Sequence, residues 1–223
     1  MNLIEYKDRQ HLMAELADLV TGELRHALSA RGRAALAVPG GTTPGPMFDR
    51  LSMSALDWHN IDVMLTDERW VPETSDRSNT RLLRERLLQG AASHANLIPL
   101  YLEGETPEDR LHEIELKVDS AMPLTSVVLG MGNDMHTASL FPGADHLELG
   151  LAFDSPLVLA MRAPGAPEPR MTLSARVLNG AAHRHILIQG ADKREALDRA
   201  LTMDQIDAPV AAVLPGATVH WAA

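Results

Sequence analysis

The chain alternates short apolar runs with longer stretches in which apolar residues recur every three or four positions. Leu12, Leu16, Leu19, Val20, Leu24 and Leu28 keep helical spacing, and Gly32 stands where such a helix stops. Ala34-Ala35-Leu36-Ala37-Val38 is uninterrupted and reads as a short buried strand ending in Pro39-Gly40-Gly41. A helix with Met47, Phe48 and Leu51 follows, and Ile61 to Thr66 reads as the next strand. Asn79 to Leu88 is predicted helical, with Leu82, Leu83, Leu87 and Leu88 on one side. Pro107 sits near the start of another helix, which carries Leu111, Ile114 and Val118. Ser126 to Leu129 is a strand that ends in Gly130-Met131-Gly132, and Leu157 to Met161 is a further strand. Ile186-Leu187-Ile188 is a strand followed by a helix through Ala196, Leu197 and Leu201, and Thr218 to Trp221 is the last strand.

Alternating β and α units of this length predict an α/β fold: a Rossmann-like, mostly parallel sheet flanked by helices on both faces. No repeat or long linker divides the chain, so residues 1–223 are expected to form a single domain. In such sheets ligands bind beyond the carboxyl ends of the strands, so the residues just after each strand are the ones to read for chemistry.

Composition narrows the function classes. Twenty Lys and Arg stand against thirty Asp and Glu, a formal charge of −10, which disfavours non-specific binding to nucleic acid or an anionic membrane. It leaves room for a small anionic substrate, because a few local donors outvote distant charge. Cys is absent, which removes disulfides, thiolate metal sites and Cys nucleophiles. No apolar run approaches the roughly 18 residues of a membrane span, and MNLIEYKDRQHL does not read as a secretory signal; a cytoplasmic address is the expectation.

Four strand ends carry unusual chemistry. Gly40-Gly41-Thr42-Thr43-Pro44-Gly45 combines a close-approach turn with hydroxyls and free N–H groups before a helix, a phosphate cradle in outline. It matches neither a P-loop nor a dinucleotide fingerprint, and a plain Gly/Pro-rich turn is the competing reading. Asp67-Glu68-Arg69 places two carboxylates and a guanidinium after the second strand, either to orient a base and grip an anion or as a solvated charge cluster. Ser78 or Asn79 reads as the cap of the next helix. The glycine turn Gly130–Gly132 delivers Asp134 and His136; His moves protons near neutral pH, and a nearby carboxylate can fix its tautomer. The alternative is a structural His capping a helix. Arg170 and Lys193 approach from two further segments, with a surface Arg and a helix-terminal Lys as the plainer readings; Lys193 near a helix N-terminus opposes the helix dipole, a hint of another task. His183 and His185 have no carboxylate or thiolate nearby in sequence and read as strand-edge residues. Met131 and Met135 read as packing or pocket-wall residues.

In order along the chain, VPGGTTPGPMFDRL, TDERWVPETSDRSNTRLL, LGMGNDMHTASLFPG, PRMTLSARVLNGA and HILIQGADKREAL resemble the 6-phosphogluconolactonase family, within the superfamily that also holds glucosamine-6-phosphate deaminases and ribose-5-phosphate isomerases. Deaminases of that superfamily look like DEY and GHIAFNEPG where this chain has Asp67-Glu68-Arg69 and His136 to Pro142, which favours the lactonase branch. Two departures stand out: Met135 occupies the place of a usual Gly before the histidine, and VPGG replaces the commoner SGG.

The resemblance implies hydrolysis of 6-phospho-D-glucono-1,5-lactone in the oxidative pentose phosphate pathway, with no metal and no organic cofactor. His136 is then the general base, Asp134 or Asp67 orients it, and Arg69 helps hold the substrate or the oxyanion. Gly40, Gly41, Thr42, Thr43, Arg170 and Lys193 bind the phosphate. The expected partner is a small sugar-phosphate lactone, with neither nucleic acid nor membrane. Two rival readings are an amino-sugar-phosphate deaminase or isomerase, and a non-catalytic sugar-phosphate sensor.

Overall fold

A computed structural model describes residues 1–223. In chain order the elements begin with β1 (Asn2–Glu5), α1 (Arg9–Arg31), β2 (Ala34–Val38), α2 (Gly45–Ser52), β3 (Ile61–Leu65), β4 (Asp67–Arg69), α3 (Asn79–Arg86) and β5 (Asn96–Ile98). They continue with α4 (Leu111–Ser120), β6 (Ser126–Leu129), α5 (Leu147–Leu151), β7 (Val158–Met161), β8 (Arg170–Leu173), α6 (Ala175–Asn179), β9 (His183–Gln189), α7 (Ala191–Ala200) and β10 (Thr218–Ala222).

Seven strands form a wholly parallel sheet in the order β1-β10-β9-β6-β2-β3-β5. Every residue of β2 and β6 is buried, so both faces of the sheet are covered there, as all-parallel sheets require. The helix predicted from Leu12 to Leu28 is α1: the Asp8 carboxylate accepts from the His11 N–H at its start, and Gly32 ends it at φ 71° with its N–H on the Leu28 carbonyl. One apolar core of 58 buried residues joins the sheet to its helices. No helix is long and apolar enough to cross a membrane.

From β2 the chain steps outward through β3 to β5, then returns to β6 and builds the other half of the sheet. The order reverses between β2 and β6, and a crevice opens at their carboxyl ends, where such sheets bind ligands. Pro39–Gly41 and Gly130–Gly132 emerge there side by side.

A second, antiparallel sheet of order β4-β8-β7 stands beside this crevice. Its register sets Asp67 opposite Thr172 and Arg69 opposite Arg170. Asp67-Glu68-Arg69, expected as a loop after a strand, is therefore itself a strand.

The reading of His183 and His185 as edge residues is corrected by the structure. β9 lies inside the sheet between β10 and β6, and His185 is buried. Its Nε2 is 3.1 Å from the Glu23 carboxylate of α1, and its Nδ1 is 3.0 Å from Nε2 of His220, whose Nδ1 meets the Tyr6 hydroxyl at 2.8 Å. Ser126 donates to the same carboxylate at 2.6 Å. Burial pushes His220 down to about 3, so it stays neutral, which leaves one donor and one acceptor on its ring for this chain of contacts.

Candidate active site

A cavity of about 300 Å³ fills the crevice. Its walls come from the turns after β2, β3 and β6, from β8 and β9, and from the first turn of α7.

His136 is placed by a tight loop rather than by a helix. The Gly132 N–H donates to the His136 carbonyl and the Met135 N–H to the Gly132 carbonyl. Met135 takes φ 64°, a left-handed conformation that costs a residue with a Cβ roughly 1–2 kcal/mol. Its side chain is buried in the core, and its carbonyl accepts from the Val210 N–H at 3.0 Å. The loop closes on itself: Asp134 Oδ1 lies 2.6 Å from His136 Nδ1 and accepts from the His136 N–H at 3.3 Å. A carboxylate on Nδ1 fixes the tautomer and leaves the Nε2 lone pair available. Gly132 is needed beneath this pair, because a Cβ there would collide with Asp134 Oδ1 and His136 Nδ1.

The opposite wall is cationic. Arg69 and Arg170 face each other across an antiparallel pair, a like-charge arrangement that costs stability unless an anion sits between or beside them. Arg170 is 9% exposed, its Nε has no partner, and its nearest carboxylate, Asp67, stands 3.6 Å from Nη1. Burial pushes this guanidinium down and Asp67 pulls it back up. Arg69 donates to the Arg77 carbonyl at 2.6 Å and likewise holds a buried Nε without a partner. Lys193, in the first turn of α7, also lines the cavity; burial lowers its pKa against the opposing pull of Asp134 and Asp192. Buried donors without partners are costly in an empty site and are satisfied by an anionic ligand.

Of the residues singled out from sequence, Gly40, Gly41, Thr43, Asp67, Arg69, His136, Arg170 and Lys193 line one cavity, with Asp134 directly behind His136. Thr42 does not line this cavity; it lines a neighbouring hollow with Arg9, Gln10 and Arg50, which shares Thr43 and Gln189 with the cavity. Asp67 does not reach the imidazole either. Its carboxylate accepts from Ser139 Oγ at 2.5 Å and Thr66 Oγ1 at 3.4 Å, and faces Arg170. His, Asp and Glu side chains nowhere converge in threes as a metal site.

The family model describing glucosamine-6-phosphate isomerases/6-phosphogluconolactonase matches residues 7–221. The chain belongs to this family. A 6-phosphogluconolactonase of Rhizobium meliloti is 41% identical over 99% of this chain and 98% of its own length. One from Mesorhizobium japonicum is 42% identical over 97% of this chain and 93% of its own. The crystal structure of a 6-phosphogluconolactonase from Shewanella baltica superposes with a TM-score of 0.96 at 35% identity, covering 100% of this chain and 98% of that one.

In this glucosamine-6-phosphate isomerase/6-phosphogluconolactonase family member, two polar residues support the site in ways that sequence reading missed. Glu68, fully buried, accepts from the N–H groups of Arg69, Asn79 and Thr80 and from the hydroxyls of Ser78 and Thr80, tying β4 to the start of α3. Asn79 donates to the Asp67 carbonyl at 3.0 Å and occupies the space a Cβ on Gly40 would need. Ser78 does cap α3, accepting from the Arg81 N–H. Successive side chains of a strand point to opposite faces, so Glu68 and Asp67 have different surroundings, which a reading of this segment as a loop could not show.

Proposed function

We propose that the chain hydrolyses 6-phospho-D-glucono-1,5-lactone to 6-phosphogluconate, as a single α/β domain working in the cytoplasm. The observation that carries this reading is an imidazole held on Nδ1 by Asp134 at 2.6 Å, facing a cavity whose other walls bring Arg69, Arg170 and Lys193. The names of its relatives supply the substrate, and the site supplies the chemistry.

The phosphate is held by Arg170, Lys193 and the donors of Gly40, Gly41 and Thr43. Anchoring that end sets the lactone carbonyl before His136 and turns the attack into an oriented, local event. His136 Nε2 takes a proton from water as the water oxygen bonds to C1. Arg69 supports the charge that develops on the former carbonyl oxygen. When C1 re-forms its double bond, the ring C–O bond breaks and the imidazolium returns its proton to the leaving ring oxygen. Asp134 anchors Nδ1, fixes the tautomer and stabilises the imidazolium between the two steps. A lactone is an activated ester, so proton transfer and charge stabilisation by side chains suffice, and the reaction as written uses no metal or organic cofactor.

Proton release in weak buffer from freshly made 6-phosphogluconolactone, set against unphosphorylated gluconolactone and corrected for spontaneous hydrolysis, tests the reading. Turnover confined to the phosphorylated lactone is expected, and His136→Ala lowers kcat by about 10²–10⁴-fold. Ammonia release from glucosamine-6-phosphate in place of lactone turnover would overturn it in favour of a deaminase. Binding of either sugar phosphate without turnover would leave a sensor.

A further inference from the structure

Phe141 lies outside the 58-residue core and outside the apolar residues packed against it. Its ring spends its surface on two polar groups instead. The centroid is 4.1 Å from that of His136, with the planes tilted by 34°. The same ring carries the Arg170 guanidinium, whose Cζ is 5.7 Å from the centroid. Both neighbours are under-held elsewhere. His136 has one hydrogen bond on its ring, to Asp134, which leaves the plane of the imidazole free to swing about that contact. Arg170 has no hydrogen bond from Nε and only a 3.6 Å ion pair to Asp67.

We infer that Phe141 is a positioning residue that sets the imidazole and the guanidinium at a fixed spacing, so that proton transfer and anion binding act on one substrate molecule at once. This rests on the proposed lactonase reading for the roles of His136 and Arg170. The aromatic face suits both tasks. It blocks rotation of the imidazole, and its quadrupole attracts the Arg170 cation and the imidazolium formed during turnover. An aliphatic side chain of equal bulk fills the space but offers neither a flat face nor a quadrupole.

Three variants separate this from simple packing: Phe141→Leu, Phe141→Met and Phe141→Tyr. Each is measured for kcat and KM with 6-phosphogluconolactone and for inhibition by inorganic phosphate. Phe141→Leu and Phe141→Met are expected to lower kcat roughly tenfold, because the base drifts from its line of attack. They also weaken phosphate inhibition about three- to fivefold, the share of Arg170 binding that a cation–π contact supplies. Phe141→Tyr keeps the ring and holds both quantities within about twofold. A double-mutant cycle adds a second readout: on an Arg170→Ala background, Phe141→Leu has no further effect on phosphate inhibition but still lowers kcat. If the Leu and Met variants match the parent in both quantities, the inference is overturned. Loss of kcat with phosphate inhibition unchanged overturns it too, since the ring would then serve His136 alone. A parent protein that neither turns over the lactone nor is competed by phosphate marks failure of the functional reading itself, and takes the inference with it.

Discussion

Gly132→Ala is a one-methyl test of the base. The Gly132 backbone runs beneath the Asp134–His136 pair, and an added Cβ would meet Asp134 Oδ1 and His136 Nδ1 well under 3.0 Å, where real Cβ atoms do not sit. Both atoms are the two ends of the 2.6 Å hydrogen bond that orients the imidazole. To reach ordinary contact the pair must open by about 1 Å, and a misplacement of that size at a reacting group costs on the order of 10²-fold in rate. Gly132 has no positive φ, so the substitution adds no backbone strain of that kind, and Asp134 and His136 are exposed and half-buried rather than core residues. The damage is therefore confined to the chemical step. kcat for phosphorylated lactone is expected to fall about 10²-fold, KM to change less than about threefold, and the urea midpoint to stay close to that of the parent. The cationic wall is untouched, so inhibition by inorganic phosphate persists. A Gly132→Ala enzyme with parental kcat would refute the assignment of the Asp134–His136 contact as the orienting one, and with it the position of the attacking water.

Arg170→Ala is expected chiefly to raise KM, with the effect largest for the phosphorylated lactone; steady-state kinetics against the unphosphorylated compound isolates the phosphate contribution. Glu68→Ala strands the buried N–H groups of Asn79 and Thr80, and should lower unfolding free energy by at least about 3 kcal/mol, read from urea denaturation. Acid should unfold the protein through the Tyr6–His220–His185–Glu23 chain. His220 is lowered to about 3 in the fold against 6.5 when exposed, and for Glu23 burial pushes the carboxyl up but the His185 and Ser126 hydrogen bonds hold it below its usual value. In both cases the unfolded chain binds protons first, so stability is full above about pH 6.5 and falls toward pH 3, by up to ~1.4 kcal/mol per pH unit from His220. A His220→Phe variant should show a flatter pH dependence of its urea midpoint; an unchanged slope would detach His220 from the effect.

Strands buried on both faces left the plainest pattern in the sequence. Ala34–Val38 and Ser126–Leu129 are fully buried, and burial wrote apolar runs, Ala34–Val38 and Val127–Leu129, into the chain. β4 and β8 carry Asp67-Glu68-Arg69 and Arg170-Met171-Thr172, whose order follows the needs of a site rather than an apolar period; their strand character comes from pairing with each other across about a hundred residues. The candidate site was legible because glycine turns mark strand ends whatever the fold's details. The choice between Asp134 and Asp67 was not, because it turns on Ser139, which takes up the Asp67 carboxylate from 72 residues away. His185 was misread for the same reason: its partner, Glu23, is 162 residues distant.

The net charge of −10 and the cationic site are two scales of one arrangement. Beyond the Debye length, about 8 Å at physiological salt, the exposed acids are screened, and the nearest groups decide the potential at a bound phosphate. Those groups are Arg69, Arg170 and Lys193, against a single cavity-lining carboxylate, Asp67, which stands 3.6 Å from Arg170 and also accepts from Ser139. Arg77, a fourth cation nearby, is spent on Glu168 and its carbonyl holds Arg69, so it serves as scaffold. Concentrating positive charge this way opposes formation of an imidazolium in the same cavity. The Asp134 carboxylate answers that conflict: bonded to Nδ1 of the imidazole, it compensates the charge His136 acquires, and it draws on only one of the three cations, Lys193. The two carboxylates thus divide the work by position, Asp67 among the cations and Asp134 at Nδ1 of the base, and exchanging their roles would cost both binding and proton transfer.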